Sequence, residues 1–343
     1  MSFLSTSYLG LDLRTPLVAS AGPLSQTLDG IKALADGGVG AVVMYSLFEE
    51  QIRAEEARNA RLELDIEDSF AEATSYFPVV PKTGTHVDAA SAAYLTLLEQ
   101  AAGTVDVPII ASLNGSTTGG WIRFARRMQD AGAAALELNI YFVPGDLGVA
   151  GDEVENRHLE ILVGVKDAVS IPVAVKLSPY FSSFGDLALQ LDQAGADGLV
   201  MFNRFFQPEV NIENFTMVPG VELSTQFDGR LPRTWIAALH GRVQASLAGT
   251  GGVQTAEDVV RYILAGADVV MTTSALVRNG TAYAETLQKG LVDWLNRHQM
   301  TVAMARGRLA IPKDVSADDY ERQGYVAALQ AAKSRYGSLT GND

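Results

Sequence analysis

Two consecutive segments decide the fold: Ala245-Ser246-Leu247-Ala248-Gly249-Thr250-Gly251-Gly252-Val253-Gln254-Thr255-Ala256-Glu257-Asp258, then Ala265-Gly266-Ala267-Asp268-Val269-Val270-Met271-Thr272-Thr273-Ser274-Ala275-Leu276. In each, a short apolar or β-branched run ends in small residues and a helical pattern begins. Helix N-termini carry unpaired N–H donors at the positive end of a dipole, so two such turns side by side can hold an anion. Closing a (β/α)8 barrel, the pair would cradle a phosphate, often one belonging to a cofactor. A lone glycine pair also serves simple turns, so the pairing carries the reading.

The same unit recurs along the chain. Strand patterns fall at Pro16–Ser20, Gly40–Tyr45, Pro108–Leu113, Ala134–Asn139, Pro172–Leu177, Gly198–Asn203, Ala245–Gly249 and Asp268–Thr273. All are short and apolar on both faces, as parallel strands covered by helices must be. Amphipathic stretches near 25–37, 88–103, 120–131, 153–169, 184–194, 232–243, 255–265 and 281–297 alternate with them. Glycines in Gly37-Gly38, Ala131-Gly132-Ala133, Ala194-Gly195-Ala196 and Ala265-Gly266-Ala267 precede the even-numbered strands, where a left-handed residue ends a helix and turns the chain into a strand. The chain therefore reads as α/β: a single (β/α)8 TIM barrel over residues 1–310, with a C-terminal helical segment and mobile tail over 311–343. A doubly wound open sheet is the alternative, and the count of eight units disfavours it. Long loops follow strands 2, 4 and 6, at the carboxyl ends where barrel active sites form. They carry Glu49, Glu50, Tyr76, Phe77, Lys82 and His86 after strand 2, and Phe205, Phe206, Glu209 and Phe215 after strand 6.

Composition narrows the function. The 343 residues are 48% hydrophobic, enough for a full core, and carry a formal charge of −14. That charge argues against nucleic-acid or anionic-membrane binding, which need basic surface. With no cysteine, disulfides, zinc thiolates, iron–sulfur clusters and a cysteine base are excluded. No apolar run approaches the roughly 20 residues of a membrane span, and Met1 to Gly10 lacks the pattern of a secretory signal. A soluble, cytoplasmic protein is expected. His86, His158, His240 and His298 show no metal-ligand spacing, so no metal site is expected.

The strand ends face the barrel mouth. They present Ser20-Ala21-Gly22, Tyr45-Ser46, Asn114, Glu137-Leu138-Asn139, Lys176 and Asn203. A ring of amides and hydroxyls with one cation suits a hydrogen-bonding heterocycle that gains negative charge on reaction, which Lys176 would stabilise. Lys176 has two other readings: a structural salt bridge to a strand carboxylate such as Glu137, or a Schiff base in a lyase.

These pieces together resemble the dihydroorotate dehydrogenase family of FMN-containing barrels. The resemblance runs from Leu9 to Trp294 and rests on Ala19-Ser20-Ala21-Gly22, Val43 to Ser46, Ala135 to Asn139, Pro172 to Leu177, Gly249 to Val253 and Ala265 to Asp268. Glu321-Arg322-Gln323-Gly324-Tyr325 is similar to a tail segment of related pyrimidine-metabolising flavoproteins. The resemblance implies FMN as cofactor, with Ala21, Gly22 and Ser46 against the flavin, Asn114 and Asn139 at its edge or the substrate, Lys176 at its N1/O2 side, and Gly251, Gly252, Thr273 and Ser274 on the phosphate. It also implies oxidation of a C–C bond of a small substrate, dihydroorotate by default, in a homodimer whose electron partner is open.

Three positions depart from the family pattern. Phe142 stands where the catalytic cysteine or serine base is expected, Tyr45 replaces a lysine at the end of strand 2, and Val221-Glu222-Leu223-Ser224 replaces a glycine-rich segment after strand 6. Phenylalanine cannot take a proton, so Tyr141 or Tyr45 is the candidate acid or base; an ordinary phenol, titrating near pH 10, suits donation better. A flavin-binding barrel without dehydrogenase activity, serving as a binding protein, is the alternative from another class.

Overall fold

The computed structural model describes residues 3–50, 89–115, 118–142, 147–204, 208–218, 220 and 222–336. Eight parallel strands close a barrel: β1 Leu17–Ala19, β2 Ala41–Phe48, β3 Ile109–Gly115, β4 Ala135–Ile140, β5 Val173–Leu177, β6 Gly198–Met201, β7 Ser246–Thr250 and β8 Val269–Thr272. The helices around it are α1 Leu28–Asp36, α2 Ala89–Ala102, α3 Thr118–Asp130, α4 Gly151–Lys166, α5 Phe184–Gln193, α6 Arg230–Leu239, α7 Ala256–Ala265, the short α8 Ser274–Asn279 and α9 Tyr283–His298. After them come α10 Val302–Ala305 and α11 Ala317–Tyr336. The rest of the C-terminal tail lies outside the described residues, as do Tyr76, Phe77, Lys82, His86, Phe205 and Phe206.

Strand alternation sorts the core into two layers. Val18, Ala41, Val43, Ile110, Ala135, Ala174, Val200, Ala248, Val269 and Met271 fill the barrel interior. Leu17, Val42, Met44, Ile109, Leu136, Leu138, Val173, Val175 and Leu199 pack outward beneath the helices. The glycine signal holds at all four turns: Gly38, Gly132, Gly195 and Gly266 have φ of 95°, 93°, 92° and 123°.

One end of the barrel is plugged by a hairpin that the strand patterns do not announce. Thr6–Tyr8 pairs antiparallel with Leu11–Leu13, and the turn residues Leu9 and Gly10 both have positive φ, 55° and 74°. The left-handed conformation costs a leucine about 1–2 kcal/mol. Burying that side chain is worth about 1.5–3 kcal/mol, so packing outweighs the strain. Leu9 is buried against Gly198, where a Cβ would come within 2.5 Å of Leu9 Cδ2.

The edges of several elements move from where sequence patterning puts them. β2 runs to Phe48, three residues past the expected end, because its pairing with β3 resumes after a register shift between Val43 and Ser46 and continues to Asn114. The irregularity interrupts the β2–β3 ladder near Ser112. The Tyr94 hydroxyl on α2 meets the Ser112 backbone there, accepting from its N–H at 2.9 Å and donating to its C=O at 3.3 Å. A second small hairpin, Glu209–Asn211 with Thr216–Val218, stands in the connection after β6.

Candidate active site

The inward side chains of β3, β4 and β5 rise toward the mouth in register. Ser112 pairs with Glu137, Asn114 with Asn139, and Asn139 with Lys176. The lower tier is closed by Ser46 Oγ, 2.8 Å from Ser112 Oγ. Lys176 Nζ donates to Glu137 Oε1 at 3.3 Å and to Ser20 Oγ at 3.5 Å, using two of its three donors. The pair is deeply buried, and Glu137 Oε2 has no hydrogen-bond partner among the described residues. On the far side of Lys176, Asn203 Nδ2 donates to Asn139 Oδ1 at 2.8 Å, joining the end of β6 to β4. Beneath the tier, burial and then the nearby Glu137 and Asp268 carboxylates push the Tyr8 phenol well above its ordinary range.

Above these residues opens a cavity of about 930 Å³, lined at the strand ends by Ser20, Ala21, Gly22, Lys176, Asn203, Thr250, Gly251, Thr272, Thr273 and Ser274. This is at the upper end of the roughly 300–1,000 Å³ of ligand pockets. Its wall at β1 is backbone: a Cβ on Gly22 would meet Thr273 Cγ2 at 2.6 Å, and Thr273 Oγ1 donates to Ser20 O at 2.9 Å.

The corner near Gly251 is built to present N–H groups. The Tyr262 hydroxyl donates to the carbonyls of Thr250 and Gly251, at 3.0 and 2.7 Å. Each planar trans peptide then turns its N–H the opposite way, so the N–H groups of Gly251 and Gly252 face away from Tyr262. The positive φ of both glycines, 90° and 69°, allows this turn. Ser224 completes the corner: its Oγ accepts from Gly252 N at 3.3 Å and lies 3.0 Å from Ser274 Oγ. Arg278 holds Ser224 in place by donating to the carbonyls of Ser224 and Leu223.

One expectation about this corner needs correction. The N-terminus of α7 is not an open anion site, because Thr255 and Asp258 form a capping box and Asp258 takes the N–H groups of Gln254 and Thr255 at 3.1 Å each. The donors come instead from the Gly251–Gly252 turn beside α8, whose N-cap Thr273 makes no side-chain cap. In Val221-Glu222-Leu223-Ser224 the hydroxyl of Ser224 stands against the turn, while Glu222 is an exposed residue on the cavity wall.

The phenols and Phe142 sit as follows. Tyr45 is half-buried outside the cavity lining; the β2 irregularity puts its ring edge-on to Tyr94, centroids 5.0 Å apart, in the layer under the helices. Burial raises its pKa. Tyr141 is half-buried just past β4, its N–H bonded to Asn139 O at 2.9 Å. Phe142 is stacked beneath the Arg157 guanidinium of α4, 4.0 Å from the ring centroid. Asn139, bonded to Asn203, and Gly252, next to Gly251, border the cavity, with Ser46 and Asn114 behind them on β2 and β3. Sequence patterning missed Tyr180, a phenol on the cavity wall three residues past β5, and Ser224; neither lies at a strand end, the signal used to find the others.

Chemically, the arrangement offers a flat backbone wall, a buried ammonium with two asparagines, and an N–H and hydroxyl corner for an anion. A phosphate-bearing aromatic cofactor fits this set of donors. Among the described residues, no group of three or more His, Asp and Glu could hold a metal, and no helix is long and apolar enough to cross a membrane.

The dihydroorotate dehydrogenase family model matches residues 3–295. The chain is 31% identical over 202 residues to the catalytic subunit of dihydroorotate dehydrogenase B (NAD(+)) from Shouchella clausii, covering 56% of this chain and 64% of that protein. It is 29% identical over 180 residues to dihydroorotate dehydrogenase A (fumarate) of Lactobacillus delbrueckii subsp. bulgaricus, covering 50% and 57%. A catalytic subunit of dihydroorotate dehydrogenase B from Methanosarcina mazei is 29% identical over 303 residues, 86% of this chain and 91% of that protein. The chain thus spans less than two thirds of several relatives and nearly all of another. With the barrel, the buried lysine and the glycine turn in place, the chain belongs to the dihydroorotate dehydrogenase family, a family of FMN-dependent oxidoreductases.

Proposed function

We propose that this protein is an FMN-dependent oxidoreductase acting on a C–C bond of a small unsaturated or cyclic substrate, and that dihydroorotate is a poor substrate for it. The single observation that carries the reading is the cavity that joins Lys176, Asn203 and the Ser20–Gly22 wall to the Gly251–Ser274 corner. When bound, FMN supplies the two-electron chemistry. Gly251, Gly252, Ser224, Thr273 and Ser274 hold its phosphate, and Ser20, Ala21 and Gly22 form the face against its ring. Lys176 stabilises negative charge on the ring edge, and Asn139 with Asn203 fixes the ring edge or the substrate by hydrogen bonds; Ser46 and Asn114 back this tier from β2 and β3.

Phe142 supports the reading that dihydroorotate is a poor substrate. Dihydroorotate oxidation needs a proton acceptor at that position, and a phenyl ring under Arg157 offers none. A phenol, Tyr141 or Tyr180, supports the opposite direction, donating a proton to one carbon of a C=C bond as its neighbour is reduced. We take the protein to work as a cytoplasmic homodimer with a separate electron partner. The same Phe142 packing favours a second reading, a flavin-binding barrel without dehydrogenase activity.

The test is an anaerobic visible spectrum of the purified protein before and after adding dihydroorotate. An oxidised flavin band that dihydroorotate leaves unchanged, in protein whose chemically reduced flavin is then reoxidised by an ene substrate, supports the proposal. Bleaching by dihydroorotate overturns the substrate reading, and absence of any flavin overturns the cofactor reading. Borohydride trapping of a substrate on Lys176 would establish the Schiff-base alternative instead.

A further inference from the structure

A second cavity, of about 300 Å³, lies between the turn Gln226–Gly229, α6 and α7, and is lined by Gln226, Phe227, Arg230, Arg233, Asp258 and Arg261. Three of these six are arginines, in a chain whose formal charge is −14. The one carboxylate among them is already saturated. Asp258 Oδ2 takes the N–H groups of Gln254 and Thr255 and Gln226 Nε2, while Oδ1 takes Arg261 Nη1 at 2.6 Å. The neighbouring Asp228 carboxylate is used by the N–H and hydroxyl of Thr225.

Arg233 is left over. Its Nη1 is buried and has no hydrogen-bond partner among the described residues. The guanidinium lies over the Tyr262 ring, 5.4 Å from its centroid, and Gly229 packs so closely that a Cβ there would be 2.7 Å from Nη1. Arg230 lies over Phe227, 5.1 Å from the ring centroid. Burial, with the like charges of Arg261 and Arg230 adding to it, holds the Arg233 pKa below its ordinary range. Like charges around one cavity repel, and a bound anion offsets that repulsion.

We propose that this cavity binds a phosphate dianion, free or as the terminal group of a phosphate monoester, held by the guanidiniums of Arg233, Arg230 and Arg261 that line it. A carboxylate presents one planar pair of acceptors to one guanidinium fork. Phosphate presents oxygens in several directions, which suits guanidiniums arriving from two helices. The site adjoins the cofactor cavity and shares Phe227 and Arg230 with it, while Arg233 and Arg261 line this cavity alone of the two.

Equilibrium dialysis of radiolabelled inorganic phosphate against the full-length protein in chloride buffer tests this, with visible absorbance recording flavin content separately. One saturable site is expected, weakened at least about tenfold in R233Q and in R261Q, and unchanged in S274A, which alters only the Gly251–Ser274 corner. Should R233Q not fold, R261Q, at a half-exposed position, and R233K carry the test. Competition by glycerol 3-phosphate more potent than by unlabelled phosphate assigns a monoester as ligand, and the reverse order the free ion. Absence of saturable binding, binding indifferent to both arginine substitutions, or binding lost only in S274A overturns the proposal.

Discussion

Lys176 Nζ stands 3.3 Å from Glu137 Oε1 inside the barrel, with side chains only 7% and 1% exposed, and the other carboxylate oxygen has no partner among the described residues. A buried ion pair of this kind gives little net stability relative to an apolar pair, yet breaking it from one side is costly. Replacing Lys176 by Met leaves an uncompensated carboxylate and should lower the unfolding free energy by about 3–5 kcal/mol. The double variant K176M/E137L should recover most of that loss while remaining inactive. Denaturant unfolding in a double-mutant cycle checks this, and additive single losses would show that the two groups do not act as a pair.

Restoring a hydroxyl at residue 142 should separate packing from catalysis. F142S loses the Arg157 stacking and should cost about 0.5–2 kcal/mol. If a base is all that dihydroorotate oxidation lacks, F142S or F142C should speed anaerobic bleaching of the flavin by dihydroorotate at least about tenfold, below the usual 10²–10⁴ of a placed base. No gain in rate would mean that the substrate pocket itself, beyond this one side chain, is built for another molecule.

The wall at β1 depends on a single missing methyl. G22A would bring a Cβ to 2.6 Å from Thr273 Cγ2 and should reduce flavin content and melting temperature. T273S removes that Cγ2 while keeping the hydroxyl that donates to Ser20 O. G22A/T273S should therefore regain flavin content relative to G22A. A double variant no better than G22A would locate the defect elsewhere in the turn.

His158 is buried on α4, with Nδ1 2.8 Å from Val154 O and its ring edge-on to Phe181 at 5.1 Å. Burial lowers its pKa from the ordinary 6.5, so the unfolded chain takes up the proton at a higher pH than the folded one. Its contribution to stability is complete above pH 6.5 and shrinks as pH falls toward the lowered folded value. Melting temperatures between about pH 8 and about pH 5.5 should decline below pH 6.5 in the parent protein, with a smaller decline in H158Q. Equal slopes would remove His158 as the titrating group.

Much of the architecture was legible because its signals are local. A run of five or six apolar residues, a glycine at a helix end and a proline at a strand start each report on their own few residues. The left-handed Gly38, Gly132, Gly195 and Gly266 show how faithfully such signals carry through. The placement of Glu137, Asn139 and Lys176 at the barrel mouth followed from their position at strand ends, and so did the reading that Lys176 could meet Glu137.

What the chain's order of residues determined by itself was the repeat: eight strands, eight crossover helices and the end of each strand that faces the mouth. Period and turn chemistry are properties of neighbouring residues. The tertiary structure alone decided the rest. Only there does the register shift in β2 carry Tyr45 to Tyr94, Asp258 close the N-terminus of α7, Ser224 reach Gly252 from the preceding connection, and Arg233 Nη1 lie buried with no acceptor among the described residues. Each of these depends on ladder pairing, burial or hydrogen-bond competition among groups that the fold brings together, so no short stretch of sequence encodes it.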